Sequence, residues 1–197
     1  MMYKDVIFGA TSSDLVPINE IELSARLGTT FSLNDDMVVN YKKIYNDNVA
    51  YRYAYVKVPF KIEDGTCCFE NIELNSHSLC KVLRESNEVI LIAVTAGISI
   101  DKLIAKNEIM NPSAAFYLDA IASASIESYM DYISKEICHS LNVTNRFSPG
   151  YADFPLEFQK YLLDRLSAKE SIGIMLSSEC LMIPMKSITA VIGIKNI

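Results

Sequence analysis

The chain has 197 residues, of which 50% are hydrophobic, and it carries a formal net charge of −6. This length and apolar content suit one compact domain with a sizeable core and exclude an intrinsically disordered chain. The acidic balance, with no cluster of Lys and Arg able to follow a phosphate backbone, argues against nucleic acid as a partner.

The sequence contains neither a stretch typical of a membrane helix nor a pattern typical of a signal peptide. The longest wholly apolar run, Val89–Val94, is far shorter than the roughly 20 residues that a membrane helix needs. The first residues, Met1–Asp14, lack the basic start and long apolar core of a signal peptide, so we expect a cytoplasmic protein without a membrane segment. Five cysteines without a framework spacing predict reduced thiols.

The first half of the chain predicts two helices and a hairpin. Asn19 caps a short helix between Pro17 and Gly28, and Ser32 caps a second one over Leu33–Tyr45. Strict alternation over Ala50–Lys61 predicts a strand with one aromatic face. Its tyrosines on one parity are Tyr51, Tyr53 and Tyr55.

Punctuating residues place the end of this hairpin and the elements that follow. Pro59 favours a sheet edge or a strand end, and the turn at Asp64-Gly65 brings Cys67–Leu74 back as a partner. Ser76 is expected to cap a helix over His77–Glu85. The remaining central elements are a buried strand over Val89–Thr95, a short helix over Ile98–Asn107 and a long helix over Pro112–Ser140.

The last quarter predicts one helix and two strands. Asp153 is expected to cap a helix with Pro155 in its first turn, and the strands are Ser171–Leu176 and Ser187–Ile194. The buried stripe of that helix is formed by Phe158, Leu162 and Leu166. Strands and helices without regular βαβ repeats predict an α+β fold, with a mixed, mainly antiparallel sheet flanked by helices, as a single domain over residues 1–197.

One segment, Asn145–Pro155, has the composition of a ligand site. Arg146 brings a forked donor for a carboxylate or phosphate, Pro149-Gly150 predicts a type II turn, and Tyr151 adds a ring face. Two simpler interpretations stay open: Arg146 pairs with a surface carboxylate, and the Tyr151 ring packs with its hydroxyl bonded to backbone.

The pattern Arg-x-x-x-Gly-Tyr at Arg146–Tyr151 resembles the S-adenosylmethionine-binding motif of the activation domain of cobalamin-dependent methionine synthase. The longer string Arg-Phe-Ser-Pro-Gly-Tyr-x-Asp-Phe-Pro-Leu-x-x-Gln, ending at Gln159, resembles free-standing forms of that domain. Pro184–Ala190 and Ala93–Gly97 resemble two of its strands. The resemblance covers residues 85–195, whereas residues 1–80 match little.

The resemblance implies a function and a site. S-Adenosylmethionine would be bound by Arg146, Ser148, Gly150 and Tyr151, with Arg146 on the carboxylate, and no metal site or catalytic acid–base pair is expected. The chain would support reductive methylation, and so reactivation, of cobalamin held by a separate methionine synthase or other corrinoid protein. The electron would come from a donor such as flavodoxin or ferredoxin. The alternative is a non-catalytic scaffold or regulatory subunit of a corrinoid methyltransferase, whose ligand site has decayed.

The sequence departs from this family in two places. The methionine synthase form has a tail with an aromatic residue that also meets the ligand, and no matching tyrosine follows Ile194 here. The family's acidic residue from its amino-terminal part has no matched position. The candidates for it are Asp35, Asp36, Asp47 and Glu63. His77 and Cys80 have a metal-like spacing without a second pair, which indicates a structural role.

Overall fold

The structure, a computed structural model, describes residues 5–28 and 32–195 and has a mixed α+β fold. Its strands are β1 Ile7–Thr11, β2 Tyr51–Glu63, β3 Thr66–Phe69, β4 Ile72–Leu74, β5 Ser86–Thr95, β6 Met175–Leu176, β7 Met182–Ile183 and β8 Ser187–Lys195. Its helices are α1 Glu20–Leu27, α2 Asp36–Asn46, α3 His77–Leu83, α4 Ile98–Met110, α5 Pro112–Cys138, α6 Phe158–Arg165 and α7 Ala168–Ser171.

The main sheet is antiparallel and has the strand order β4-β3-β2-β5-β8, with β1 added alongside β2. β8 ends this order, and residues 143–147, at the start of the turn over Arg146–Tyr151 (the arginine turn), dock against it. Phe147 and Val191 exchange two backbone hydrogen bonds of 2.9 Å, and the N–H of Thr144 donates to the carbonyl of Gly193. The arginine turn is therefore fixed at the β8 edge of the sheet.

Helices cover both faces of the sheet. Because neighbouring side chains of a strand point to opposite faces, Ile90 and Ile92 of β5 pack with α1, α2, α4 and α5. Leu91 and Ala93 pack on the other face with α3, α6 and α7. The long helix α5 and the helix after the arginine turn, α6, thus belong to opposite layers.

Most predicted elements are confirmed, together with the fold class. β5 lies between β2 and β8 with Val89–Val94 buried, and α5 covers almost all of the predicted long helix. Asn19 caps α1 through its side-chain oxygen, which accepts hydrogen bonds from two backbone N–H groups. β2 has the predicted aromatic face, and its tyrosines pack against the α5 layer.

Two capping predictions are wrong. Asp35, rather than Ser32, caps α2, because its carboxylate accepts from the N–H of Met37 at 2.8 Å. Asp153 does not cap the helix that follows it: α6 begins only at Phe158, and the carboxylate of Asp153 turns to the start of α3 instead. An acidic side chain can satisfy any free helix N-terminus within reach, and sequence distance does not restrict that choice.

Three further expectations are corrected. Pro59 lies inside a central strand, but β1 pairs only up to Tyr55 and β3 starts only at Phe60, so one side of β2 has no partner strand there. Residues 171–176 form mostly the end of α7 and a loop, with strand only at Met175–Leu176. The thiols are not all reduced, since Cys67 and Cys80 form a disulfide with their Cα atoms 6.0 Å apart.

Candidate ligand-binding site

The predicted turn at Pro149-Gly150 is confirmed. The N–H of Tyr151 donates to the carbonyl of Ser148 at 3.3 Å, and Gly150 has a φ of +89°. Only glycine adopts this conformation without strain. The N–H of Gly150 donates to the carbonyl of Phe154 at 2.8 Å, so Gly150 shapes the turn with its backbone.

Beside this turn lies a cleft of about 310 Å³, which we call the arginine cleft. Its volume is at the lower end of the range of roughly 300–1,000 Å³ that is usual for small-molecule sites. Its polar wall residues are Glu127, Arg146, Ser148, Tyr151, Gln159, Ser187 and Thr189. These come from α5, the turn, α6 and β8, so the cleft spans the β8 edge from one helix layer to the other.

Arg146 joins the turn to the long helix. Its guanidinium donates to the Glu127 carboxylate at 2.7 Å and lies 3.3 Å from that of Asp131. Glu127 and Asp131 are four residues apart on α5 and therefore share one face of the helix. The Arg146 side chain is 28% exposed. Arg146 thus pairs with carboxylates, as the simpler interpretation expects, and also lines the cleft.

The other predicted residues are placed differently. Ser148 and Tyr151 line the arginine cleft, and Tyr151 is 66% exposed, which leaves its ring open to a ligand. No other described ring stacks on it. Gly150 shapes the turn with its backbone and is not among the residues that line the cleft. Ligand binding by these four residues stays a prediction.

Sequence reasoning assigned no role in the site to five polar residues. They are Glu127, Asp131, Gln159, Ser187 and Thr189. Only Gln159 carried a readable signal: it lies on the same stripe as Leu162, Leu163 and Leu166, at helical spacing, where a polar residue interrupts a buried face. The others required knowledge of which elements meet at β8.

A second cavity, of about 750 Å³, adjoins the arginine cleft. Arg146 lines both spaces, and Asp131 lines the second. The far wall of the second cavity includes Cys138, Val143 and Ile192. The ion pair of Arg146 therefore stands between the two spaces.

The acidic candidates and the His77–Cys80 pair lie outside the arginine cleft. None of the acidic candidates Asp35, Asp36, Asp47 and Glu63, all of them described, lines the arginine cleft. Within residues 5–28 and 32–195, no three His, Cys, Asp or Glu residues come together as metal ligands would. Cys80 is held in the disulfide instead. No helix in the described ranges has the length and apolarity to cross a membrane.

The chain matches known proteins in structure, whereas the sequence comparisons give no match. No family model and no curated protein matches the chain. Among solved structures, the fold is similar to that in the crystal structure of the MetH reactivation domain bound to AdoHcy, with a TM-score of 0.70. That match has 14% sequence identity and covers 96% of this chain and 78% of the other. The similarity establishes the fold.

Proposed function

We propose that this chain binds S-adenosylmethionine in the arginine cleft and supports reductive methylation of cobalamin on a separate protein. One observation carries the proposal. Arg146, Ser148 and Tyr151, chosen from a sequence pattern, line one cleft in a fold similar to that of a domain solved with AdoHcy. The adjoining turn has the geometry that the motif requires, with Gly150 at positive φ.

The charges of the cleft suit the amino-acid end of this ligand. The guanidinium of Arg146 matches an α-carboxylate in a bidentate pair, and Glu127 matches an α-ammonium. Asp131 pairs with Arg146 from the side of the second cavity. In the free protein these three groups satisfy one another. A bound zwitterion would give Arg146 a new carboxylate partner and Glu127 a new cationic partner, so both charges would stay paired.

The chain contributes binding and orientation to the proposed reaction. When bound, S-adenosylmethionine supplies an electrophilic methyl group on its sulfonium. The cleft is at the sheet edge, and Tyr151 at its rim is exposed, so the partner's corrin could reach the ligand. Holding the two reactants together is itself a large catalytic term. The partner would be a methionine synthase or other corrinoid protein, served by flavodoxin or ferredoxin as electron donor.

The Arg146 ion pairs also favour a second candidate function. A guanidinium already neutralised by two carboxylates is the arrangement expected of a structural clamp between α5 and the turn. On this alternative the chain is a non-catalytic scaffold or regulatory subunit of a corrinoid methyltransferase, and its ligand site has decayed.

Isothermal titration calorimetry with S-adenosylmethionine separates the two functions. Wild type and Arg146→Lys are compared with Arg84→Lys, in which an exposed arginine paired with Glu85 is changed in the same way. The proposal expects wild-type binding that falls at least tenfold in Arg146→Lys and is unchanged in Arg84→Lys, because a lysine cannot form the bidentate pair. No binding by folded wild type supports the scaffold.

The partner is tested on a corrinoid protein of defined state. A methionine synthase truncated after its cobalamin domain and held as cob(II)alamin is mixed with this chain, reduced flavodoxin and S-adenosylmethionine. Reduced flavodoxin supplies the electron, and formation of methylcobalamin is followed by its visible spectrum. Methylation that depends on the chain supports the proposal. A ligand-binding chain that leaves this and other corrinoid proteins unmethylated contradicts the proposed partner.

A further inference from the structure

Gln159 is a buried polar residue on the wall of the arginine cleft. It lies in the first turn of α6 and is 5% exposed. Its Oε1 atom is buried and has no hydrogen-bond partner among the described residues. The backbone N–H of Gln159 is satisfied by the carbonyl of Leu156 at 3.0 Å, so the unmet demand belongs to the side-chain amide.

An unpaired buried amide calls for an explanation. The large majority of buried side-chain polar atoms in folded proteins have a partner, and each exception calls for an explanation such as strained packing, a bound water or ion, or a functional role. Leucine or methionine would fill this position on the apolar stripe of α6 without that cost. Packing alone therefore does not account for a glutamine at residue 159.

The cleft has a charged half and a neutral half. The charged half consists of Glu127, which comes from α5 on one face of the sheet, and Arg146, which pairs with it. Gln159 comes from α6 on the opposite face. Ser187 and Thr189 have the same parity on β8 as Val191, which packs in the α6 layer, so their side chains belong to the neutral half.

This polarity matches a nucleoside attached to an amino acid. The carboxylate and ammonium of such a ligand belong in the charged half, and its uncharged hydroxyl and amino groups belong in the neutral half. A glutamine amide offers a carbonyl acceptor beside an NH₂ donor. That pair complements the N6 amino and N7 edge of adenine, and its carbonyl also accepts from a ribose hydroxyl.

We propose that Gln159 is a specificity-determining residue whose amide accepts a hydrogen bond from the nucleoside end of the ligand. The donor is either the exocyclic amino group of the purine or a ribose hydroxyl. This inference rests on the proposed function, because it uses the same cleft and the same ligand. It adds a residue that recognises the nucleoside to the four residues predicted from the motif.

The test uses the full chain and four ligands. S-Adenosylhomocysteine is compared by calorimetry with its inosine counterpart, which lacks the purine amino group, and with its 2′- and 3′-deoxy counterparts. The proteins are wild type, Gln159→Met, which keeps the volume without hydrogen bonding, and Gln159→Glu, which keeps an acceptor in the same shape.

Wild type is expected to bind S-adenosylhomocysteine at least about tenfold more tightly than one of its analogues. The group that this analogue lacks is then the hydrogen-bond donor. Gln159→Met is expected to bind all of them alike, at the weaker level, while its melting temperature does not fall. Gln159→Glu is expected to restore part of the discrimination. A structural role predicts the reverse pattern, namely a lower melting temperature with discrimination intact.

The failures of the two proposals are distinguishable. Wild type that binds S-adenosylhomocysteine, with Gln159→Met discriminating among the analogues equally well, overturns the role of Gln159 and leaves the proposed function standing. Folded wild type that binds neither S-adenosylmethionine nor S-adenosylhomocysteine overturns both.

Discussion

The carboxylate of Asp153 accepts a 2.7 Å hydrogen bond from the backbone N–H of His77, the first residue of α3. It also accepts from Ser76 Oγ at 2.9 Å and from the N–H of Ser78 at 3.1 Å. Free N–H groups at a helix start attract negative charge. Asp153 follows Tyr151 by two residues, so this contact ties the rim of the arginine cleft to the start of α3.

Asp153→Asn should destabilise the fold in a pH-dependent way. Hydrogen bonds, first from Ser76 and then from the start of α3, lower the pKa of Asp153 to about 2 from 3.8. A depressed pKa stabilises the folded state above the unfolded pKa, and this contribution is lost as pH falls through the folded pKa. The urea midpoint of wild type should thus approach that of the variant between about pH 4 and pH 2.

Asp164→Asn is the matched control for this measurement. Asp164 is exposed, and its carboxylate makes no hydrogen bond or ion pair in the described part of the chain. The urea midpoint of Asp164→Asn should equal that of wild type at every pH. An Asp153→Asn difference that stays constant from neutral to acid pH would show that the carboxylate's charge is not what stabilises α3.

The local elements of this fold could be predicted because their signals are local. The alternation at residues 50–61, the apolar run of β5 and the Asn19 cap each lie within a few residues of the structure that they specify. Asp153 could not be placed in this way. Its side chain has the same capping chemistry for α6 and for α3, and only the tertiary arrangement decides between them.

The candidate site shows the same limit. The turn at Arg146–Tyr151 could be predicted because a Pro-Gly dipeptide fixes its own backbone. Glu127 lies 19 residues before Arg146 in sequence and has no motif of its own. Its part in the cleft depends on how α5 packs beside β8, which is a property of the whole sheet.

Replacing the buried Arg165 should lower the free energy of unfolding more than replacing an exposed arginine. It is 7% exposed, and its guanidinium donates to Glu70 Oε2 at 3.0 Å and to Asp5 Oδ1 at 3.2 Å. Arg165→Lys keeps the charge and loses the fork, so the free energy of unfolding should fall by about 1–3 kcal/mol. Urea denaturation followed by circular dichroism measures this change.

Arg26→Lys provides the comparison. Arg26 forms an exposed i,i+4 pair with Glu22, and such pairs contribute about 0.5 kcal/mol or less. Equal effects of the two substitutions would mean that the fork of Arg165 adds nothing beyond an ordinary surface ion pair.

The tyrosine cluster should make the protein sensitive to alkali. Tyr45 donates to the hydroxyl of Tyr51 at 3.1 Å, and the ring of Tyr51 stacks on that of Tyr129 with centroids 4.3 Å apart. Burial raises the pKa of all three phenols above 10.0. The unfolded chain then loses these protons first, so stability should fall as pH rises above about 10.

An absorbance titration of tyrosinate tests this expectation. Of the 11 tyrosines, the three in the cluster should ionise only together with loss of the circular dichroism signal. Tyr129→Phe should remove a late-titrating group. Early, reversible ionisation of Tyr129 would disprove its burial.

The excess of negative charge at the arginine cleft should favour a cationic ligand. Glu127 and Asp131 face one guanidinium, that of Arg146. S-Adenosylmethionine carries one positive charge more than S-adenosylhomocysteine, at its sulfonium. Two unit charges 4 Å apart in water interact by about 1 kcal/mol, which corresponds to about a fivefold change in Kd. Glu127→Gln should therefore weaken binding of S-adenosylmethionine about fivefold more than binding of S-adenosylhomocysteine, as measured by calorimetry at low salt.

Added salt should reduce the difference between the affinities of wild type for the two ligands. Glu136→Gln, on the same helix and outside the arginine cleft, should leave the ratio of the two affinities unchanged. If Glu127→Gln weakens both ligands by the same factor, Glu127 binds the shared amino-acid end and has no part in recognising the sulfonium.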